Sequence, residues 1–156
     1  MRTLAILLVA AVLPLAGCST QYGAMGNMGG VAAAPIASDI YRISARGNGY
    51  TDATTIQDYA LLKAAETTLA AGKTHFTVLQ NRDATDKTYG QTAGTINTYG
   101  SFATYNPGFT YDIVKPGEDM MIRVWSPGPK DAIPPNTFNA AEVFNNINPR
   151  VKRAKT

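Results

Sequence analysis

Residues 39–80, DIYRISARGNGYTDATTIQDYALLKAAETTLAAGKTHFTVLQ, decide the fold. Over 40–46 the chain alternates, with Tyr41, Ile43 and Ala45 on one side and Arg42, Ser44 and Arg46 on the other. That is the period of a strand buried on one face. Gly47-Asn48-Gly49 then ends it in a sharp reversal. A phosphate-cradling loop would need a dinucleotide fingerprint or a following Gly-Lys-Ser/Thr, and neither is present, so a plain turn is the reading. Thr54 and Gln57 form an S/T-x-x-Q capping box that opens a helix running through Ala71, and Gly72 stands where a left-handed C-cap belongs. The expected buried stripe is Leu62, Ala65 and Leu69, with Tyr59 and Leu61 beside it, while Lys63, Glu66 and Thr67 face water. Residues 74–80 alternate again, Phe76 and Val78 against His75, Thr77 and Leu79. Strand, helix and strand of this length predict two parallel strands joined by a right-handed crossover.

Upstream of this unit lies an export signal. Arg2 precedes an apolar run at 4–15, too short to span a bilayer and of the length of a signal-peptide core. It ends in Leu15-Ala16-Gly17-Cys18, a bacterial lipobox at every position, in which small residues precede the cut and the thiol takes a diacylglycerol. Cys18 is therefore expected to be the lipidated first residue of the mature chain, and two or three acyl chains there make a stable membrane anchor. As the only cysteine it leaves no internal disulfide in an oxidising compartment. Ser19 rather than aspartate after the cysteine favours the outer membrane, periplasmic side, over the inner membrane. Residues 19–38 are small, rich in Gly, Ala and Met, and without periodicity, so 18–38 reads as a lipidated cysteine and flexible tether with a mean span of about 25 Å. Met25 and Met28 are read as filler within it.

Downstream, 81–94 reads as polar loop. Asp83 and Asp86 fall short of a calcium loop, since the alternating ligands, central glycine and closing glutamate are missing. Residues 95–111, rich in Thr, Tyr, Gly and Asn, read as an added ribbon or a long mobile loop. Alternation at 109–114 and 120–125 around Lys115-Pro116-Gly117-Glu118 predicts a hairpin closed by a type II turn. Four prolines break 126–136. Asn136 or Thr137 then caps a short helix bearing Ala140, Val143, Phe144 and Ile147 until Pro149. Residues 150–156 read as a frayed basic tail.

The fold class that results is α/β: one small sheet with a strand-helix-strand unit, an added hairpin and a short C-terminal helix, helices on one face. The expected parts are a signal peptide at 1–17, the tether at 18–38, the α/β domain at 39–149 and the tail at 150–156. A chain of 156 residues, 45% hydrophobic and 16% charged, suits one such domain. Its net charge of +3, much of it in the tail, gives no nucleic-acid footprint.

The segments YRIsaRGNgyT, DYaLLKAAE, G-x-T-H-F-x-V, PG-x-x-x-x-IRV and the late F-N-A-A-E-V with N-P-R resemble a family of small bacterial envelope lipoproteins with no assigned activity. The likeness covers nearly all of 41–151 and is poorest across 83–110. Where that family carries R-A-A-E, Y-F and Y-D-A-x-E-V, this chain has Lys63, His75-Phe76 and Phe138-Asn139, swaps that keep size and pattern. The resemblance implies fold and location and supplies no catalytic or binding residues.

The inventory for chemistry is thin. His75 is the only histidine, so a nucleophile-base-orienter set has one candidate base, and a zinc site lacks its usual ligands. No enzyme, cofactor or metal is expected. If the helices cover the face bearing Tyr41, Ile43, Phe76, Val78, Ile122 and Val124, the other face gathers Arg42, Arg46, His75, Thr77, Met121, Arg123 and Trp125. Arginines around an aromatic suit an envelope protein, an anionic glycan or a lipid headgroup. The alternative is that the ribbon at 95–111 or a second copy covers this face. The expected function is a lipid-anchored, periplasm-facing binding or support module. Its rivals are a self-associating structural lipoprotein and a hydrolase using His75.

Overall fold

A computed structural model describes residues 18–153. The expected signal peptide, 1–17, and the last three residues lie outside the described residues. Five strands form the central sheet. They are β1 (Gly30–Pro35), β2 (Ile40–Arg46), β8 (Gly117–Trp125), β3 (His75–Asp83) and β9 (Thr137–Asn139), neighbours in that order and antiparallel at every pairing. The fold is α/β in the broad sense and strand-rich. Two helices, α1 (Ala53–Ala70) and α2 (Ala140–Ile147), accompany the sheet. Among the described residues no helix is long and apolar enough to cross a membrane.

The strand-helix-strand unit is present with one difference. β2 and β3 run in the same direction, but β8 lies between them and pairs with both. The alternation within 40–46 and 74–80 marks which side chains go inward and says nothing about which strand fills the slot between. The core is Ile43 and Ala45 of β2, Phe76 of β3, and Met120, Ile122 and Val124 of β8, against Ile56, Tyr59, Leu62 and Ala65 of α1.

Helix α1 is capped two residues before Thr54: Asp52 is the N-cap, and its carboxylate accepts from the Thr55 amide at 2.8 Å. Asp accepts as well as Thr at that position, and the earlier residue wins because its extended backbone (φ −79°, ψ 157°) leaves the helix only there. At the other end Gly72, φ +68°, donates to the Leu69 carbonyl and Lys73 to that of Thr68, the paired bonds of a Schellman cap. The helix buries more than one stripe: Ala60, Ala64 and Thr68 are inside, whereas Leu69 is 41% exposed. It packs against β1, β2, β3 and β8 and also against α2, so a single stripe would not serve.

Residues 19–38 are not a free tether. Gly30–Pro35 forms the edge strand β1, paired along its length with β2. Tyr22 is buried, its ring edge-on to Tyr59 at 5.3 Å and its hydroxyl donating to Glu66 at 2.6 Å. Thr20 is buried too. Its amide donates to the Thr51 hydroxyl, and its carbonyl accepts from the Tyr59 hydroxyl at 2.9 Å. Small residues hide a strand from periodicity because alanine is nearly neutral between the two faces.

The basic tail is held as well. Arg150 closes a 3-10 turn and clamps Asp58 through two bonds of 2.9 and 2.7 Å. Arg153 bonds Glu66 at 2.8 Å and lies over the Tyr22 ring, and the Tyr22 amide donates to the Lys152 carbonyl.

Residues 81–116 differ most from the sequence reading. The polar loop and the 109–125 hairpin are replaced by one long ribbon. β4 (Asp86–Gln91) pairs with β7 (Thr110–Lys115), and β5 (Thr95–Tyr99) with β6 (Phe102–Asn106). From Gln80↔Met121 through Asp86↔Lys115 to Tyr99↔Phe102, each step forward in one arm is one step back in the other. The ribbon therefore continues the register of the β3–β8 pair, its ladder interrupted beside Pro116 and again beside Pro107, neither of which has an N–H to give. Pro116-Gly117 makes no turn. A type II turn needs Gly117 at positive φ, and it is not among the glycines that have it. Gly117 is required instead by the Ala84 carbonyl, which occupies the place a Cβ would take. The true turn is Gly100-Ser101, a two-residue loop with Gly100 at φ +62° and Ser101 at negative φ, the type II′ form that matches strand twist.

Candidate binding face

Alternation and register together put the expected residues on the sheet face away from the core. Arg42 lies opposite Met121, which lies opposite Gln80. One row along, Arg123 stands between Ile40 and Thr77, and beyond it Trp125 faces His75. A bulge between Val78 and Gln80 alters one expectation: Leu79 is the extra residue, half exposed, and Gln80 takes the place that alternation gives it.

The five candidate residues differ in how free they are. Arg46 is committed, with both oxygens of Asp119 at 2.9 and 3.0 Å and the carbonyls of Ala45 and Glu118 within reach of Nη1. Arg82 reaches the same carboxylate at 3.5 Å. Burial opposes ionisation of Asp119, but bonds from Ser44, Arg46 and Arg82 outweigh it and hold the carboxyl below its ordinary range. Arg123 makes a single 2.8 Å bond with Asp39, and its side chain is 59% exposed, so water competes easily for that pair. Arg42 is exposed and forms no ion pair among the described residues. With Gln80, Arg82, Asp119 and Met121 it lines a shallow depression of about 310 Å³.

At the other end Trp125 donates from Nε1 to the Thr77 hydroxyl at 3.0 Å, and that hydroxyl meets Thr137 at 2.7 Å. His75 lies 6.4 Å from the indole, ring to ring, and its Nδ1 is 2.9 Å from the Thr74 hydroxyl. Among the described residues it has no carboxylate partner, and none of their His, Cys, Asp and Glu side chains gather in threes to hold a metal ion. The arrangement can clamp an anion beside an aromatic edge; behind the His75 imidazole, which meets the Thr74 hydroxyl, no orienting carboxylate stands among the described residues.

Cys18 is exposed at the start of the described chain, its carbonyl accepting from the Asn48 side chain at 2.7 Å. Two features escaped the sequence. One is a groove of about 440 Å³ on the helix side, lined by Leu61, Val78, Leu79 and Phe138, which the bulge creates by turning Leu79 out. The other is the full extent of the ribbon, which is one of two sequence readings for 95–111 alone; its tip Gly100-Ser101 between Tyr99 and Phe102 is a hairpin signal in itself. No family model matches the chain, and neither the curated proteins nor the solved structures compared with it give a match.

Proposed function

We propose that this chain is a lipid-anchored, periplasm-facing lipoprotein of the bacterial outer membrane that works by binding an envelope protein or anionic glycan, without catalysis. In this reading both helices lie on the core side of the sheet, and the opposite face is the working surface. The observation that carries it is Arg42 and Arg123, exposed side by side with Trp125 at the end of the row. Arg46 belongs to the scaffold of that face and not to its contact set, because Asp119 already takes its guanidinium fork. The L-A-G-C motif and the exposed position of Cys18 support the anchor. The resemblance to envelope lipoproteins supports the location. For a hydrolase using His75, the geometry offers a threonine hydroxyl where an orienting acid is needed.

The test has two parts. Intact mass of the protein purified from membranes is expected to show cleavage before Cys18 and a diacylglyceryl group on it. In vivo photo-crosslinking from the open face is expected to yield an adduct with an envelope component, lost in Arg42→Ala/Arg123→Ala. An unacylated Cys18 ends the anchoring claim, and an adduct unchanged in the double variant ends the claim for the face.

A further inference from the structure

The distal ribbon has a composition and geometry that the binding face does not use. From 88 to 111 there is no charged residue, whereas Asp86, Lys87, Asp112 and Lys115 all cluster at its root. Its aromatic side chains stand in water: Phe102 is 78% exposed, and Tyr111, the least exposed, is 50%. By register Tyr105, Phe109 and Tyr111 share one face of the ribbon, and Tyr89, Tyr99 and Phe102 share the other. From 88 to 99 the uncharged first arm is eleven steps long, which at ~3.3 Å per residue is ~36 Å along the strand. Tilted by ~40°, that length rises ~28 Å, enough to cross the ~25 Å apolar band of an outer-membrane barrel.

The two faces are unlike. On one, Ile96 pairs with Tyr105 and Thr98 with Ala103, and the rings of Tyr105 and Tyr111 lie over Gly94 and Gly90. On the other, Asn97 pairs with Thr104 and Thr95 with Asn106, between Tyr89 at the root and the Tyr99–Phe102 pair at the tip. That is the alternation of a barrel strand, apolar toward lipid and polar toward a lumen. The root also lies beside the anchor. Asn48, which holds the Cys18 carbonyl, sits between Gly47, whose amide donates to Pro116 at 2.7 Å, and Gly49, against which Ile113 packs. An acyl group on Cys18 therefore enters the membrane at the point where the ribbon leaves the domain.

We propose that residues 88–111 form a bilayer-crossing β-hairpin whose open edges are closed by the same hairpin from other copies. The edges dictate the second half of this statement. Each arm of a two-stranded ribbon leaves a row of backbone N–H and C=O groups unpaired, which hydrocarbon does not tolerate, so only a closed barrel can cross. The smallest such barrels have eight strands, so about four copies or more are required. The inference rests on the lipid-anchor reading for its orientation, and the experiment separates the two.

Full-length protein carrying Ile96→Cys or Asn97→Cys is purified from membranes, labelled with an environment-sensitive fluorophore and reconstituted into phosphatidylethanolamine/phosphatidylglycerol vesicles. Acylated Cys18 is a thioether and takes no label. Unchanged Trp125 emission reports that the domain is intact. The expected result is a blue shift and severalfold brighter emission at 96 than at 97, with quenching at 96 strongest for a nitroxide deep in the acyl chain. Edge-to-edge crosslinks between copies are expected from cysteines placed on outer backbone positions of the ribbon. Equal, water-like emission at both positions in membrane-bound protein overturns the hairpin and leaves the anchor standing. So does quenching at 96 only by a headgroup nitroxide, which means the ribbon lies flat. A mature mass without acyl groups removes the anchor alone; the same probes, combined with Cys18→Ser so that only the ribbon takes label, then report on the ribbon when that protein is added to vesicles.

Discussion

Asp119 fixes the chemistry of its end of the sheet. Its side chain is 18% exposed and takes the fork of Arg46, a bond from Arg82 and one from Ser44. The folded state therefore holds this carboxyl ionised at a pH where the unfolded chain has begun to protonate it. The stabilisation is complete above the ordinary carboxylate value of ~3.9 and is lost as pH falls through the lower folded value. Asp119→Asn is expected to cost about 1–2 kcal/mol at neutral pH, discounted for the part-exposed arginine. Urea midpoints of wild type and variant should converge as the pH is taken below ~4. A gap that persists undiminished into acid would place the stabilisation elsewhere. The same carboxylate explains a limit of sequence reading at this scale. Arg42 and Arg46 share a strand and a face, and alternation treats them alike. What separates them is an acid 73 residues further along, visible only once β8 is known to lie beside β2.

At the scale of elements, the segments with strong local signals came out as expected: the helix with its Gly72 cap, the one-sided strand at 40–46, the strand at 74–80 as far as its bulge at Leu79, and the short late helix, now capped by Asn139. The failures share a cause, which is that pairing is non-local. β1 has an Ala-rich sequence that reads as linker, yet its backbone completes the ladder of β2, and Val31 is buried behind it. Lys115-Pro116-Gly117 has the composition of a turn, but the chain runs straight through it, because β8 is drawn into the sheet between β2 and β3. The N-terminal segment gives a direct check. If residues 19–35 were a spacer, removing them would leave stability unchanged. Since Tyr22 and Val31 are core residues and Thr20 is bonded on both sides, their removal is expected to cost at least about 3 kcal/mol, the scale of losing a buried aromatic alone. Thermal unfolding of the soluble domain, with and without that segment, decides it. An unchanged midpoint would return the segment to the status of a tether.

At the scale of the molecule the chain has two parts with opposite relations to water. The sheet, its helices and the N-terminal segment bury a shared core, and among their described residues no buried side-chain polar atom lacks a partner. The ribbon buries almost nothing, and a two-stranded ribbon alone is marginal in water. Natural sequences seldom carry so long an unprotected edge unless it is covered by something. It touches the domain through Ile113 at Gly49 and through Pro116 at Gly47. The two parts should therefore be separable in energy. Replacing residues 86–115 with Asn-Gly keeps Thr85 and Pro116 as the closing pair of a short hairpin, with the Ala84 amide still donating to Gly117. The shortened domain is expected to unfold within about 0.5–1 kcal/mol of wild type by urea titration, the range of surface changes remote from the core. In the same variant, self-association in detergent and inter-copy crosslinks are expected to disappear, while crosslinking from the Arg42–Arg123 face is retained. Loss of several kcal/mol would make the ribbon part of the folding unit. Retained self-association would move the contact between copies to the sheet face, where Arg42 and Arg123 would then meet another copy instead of an envelope partner.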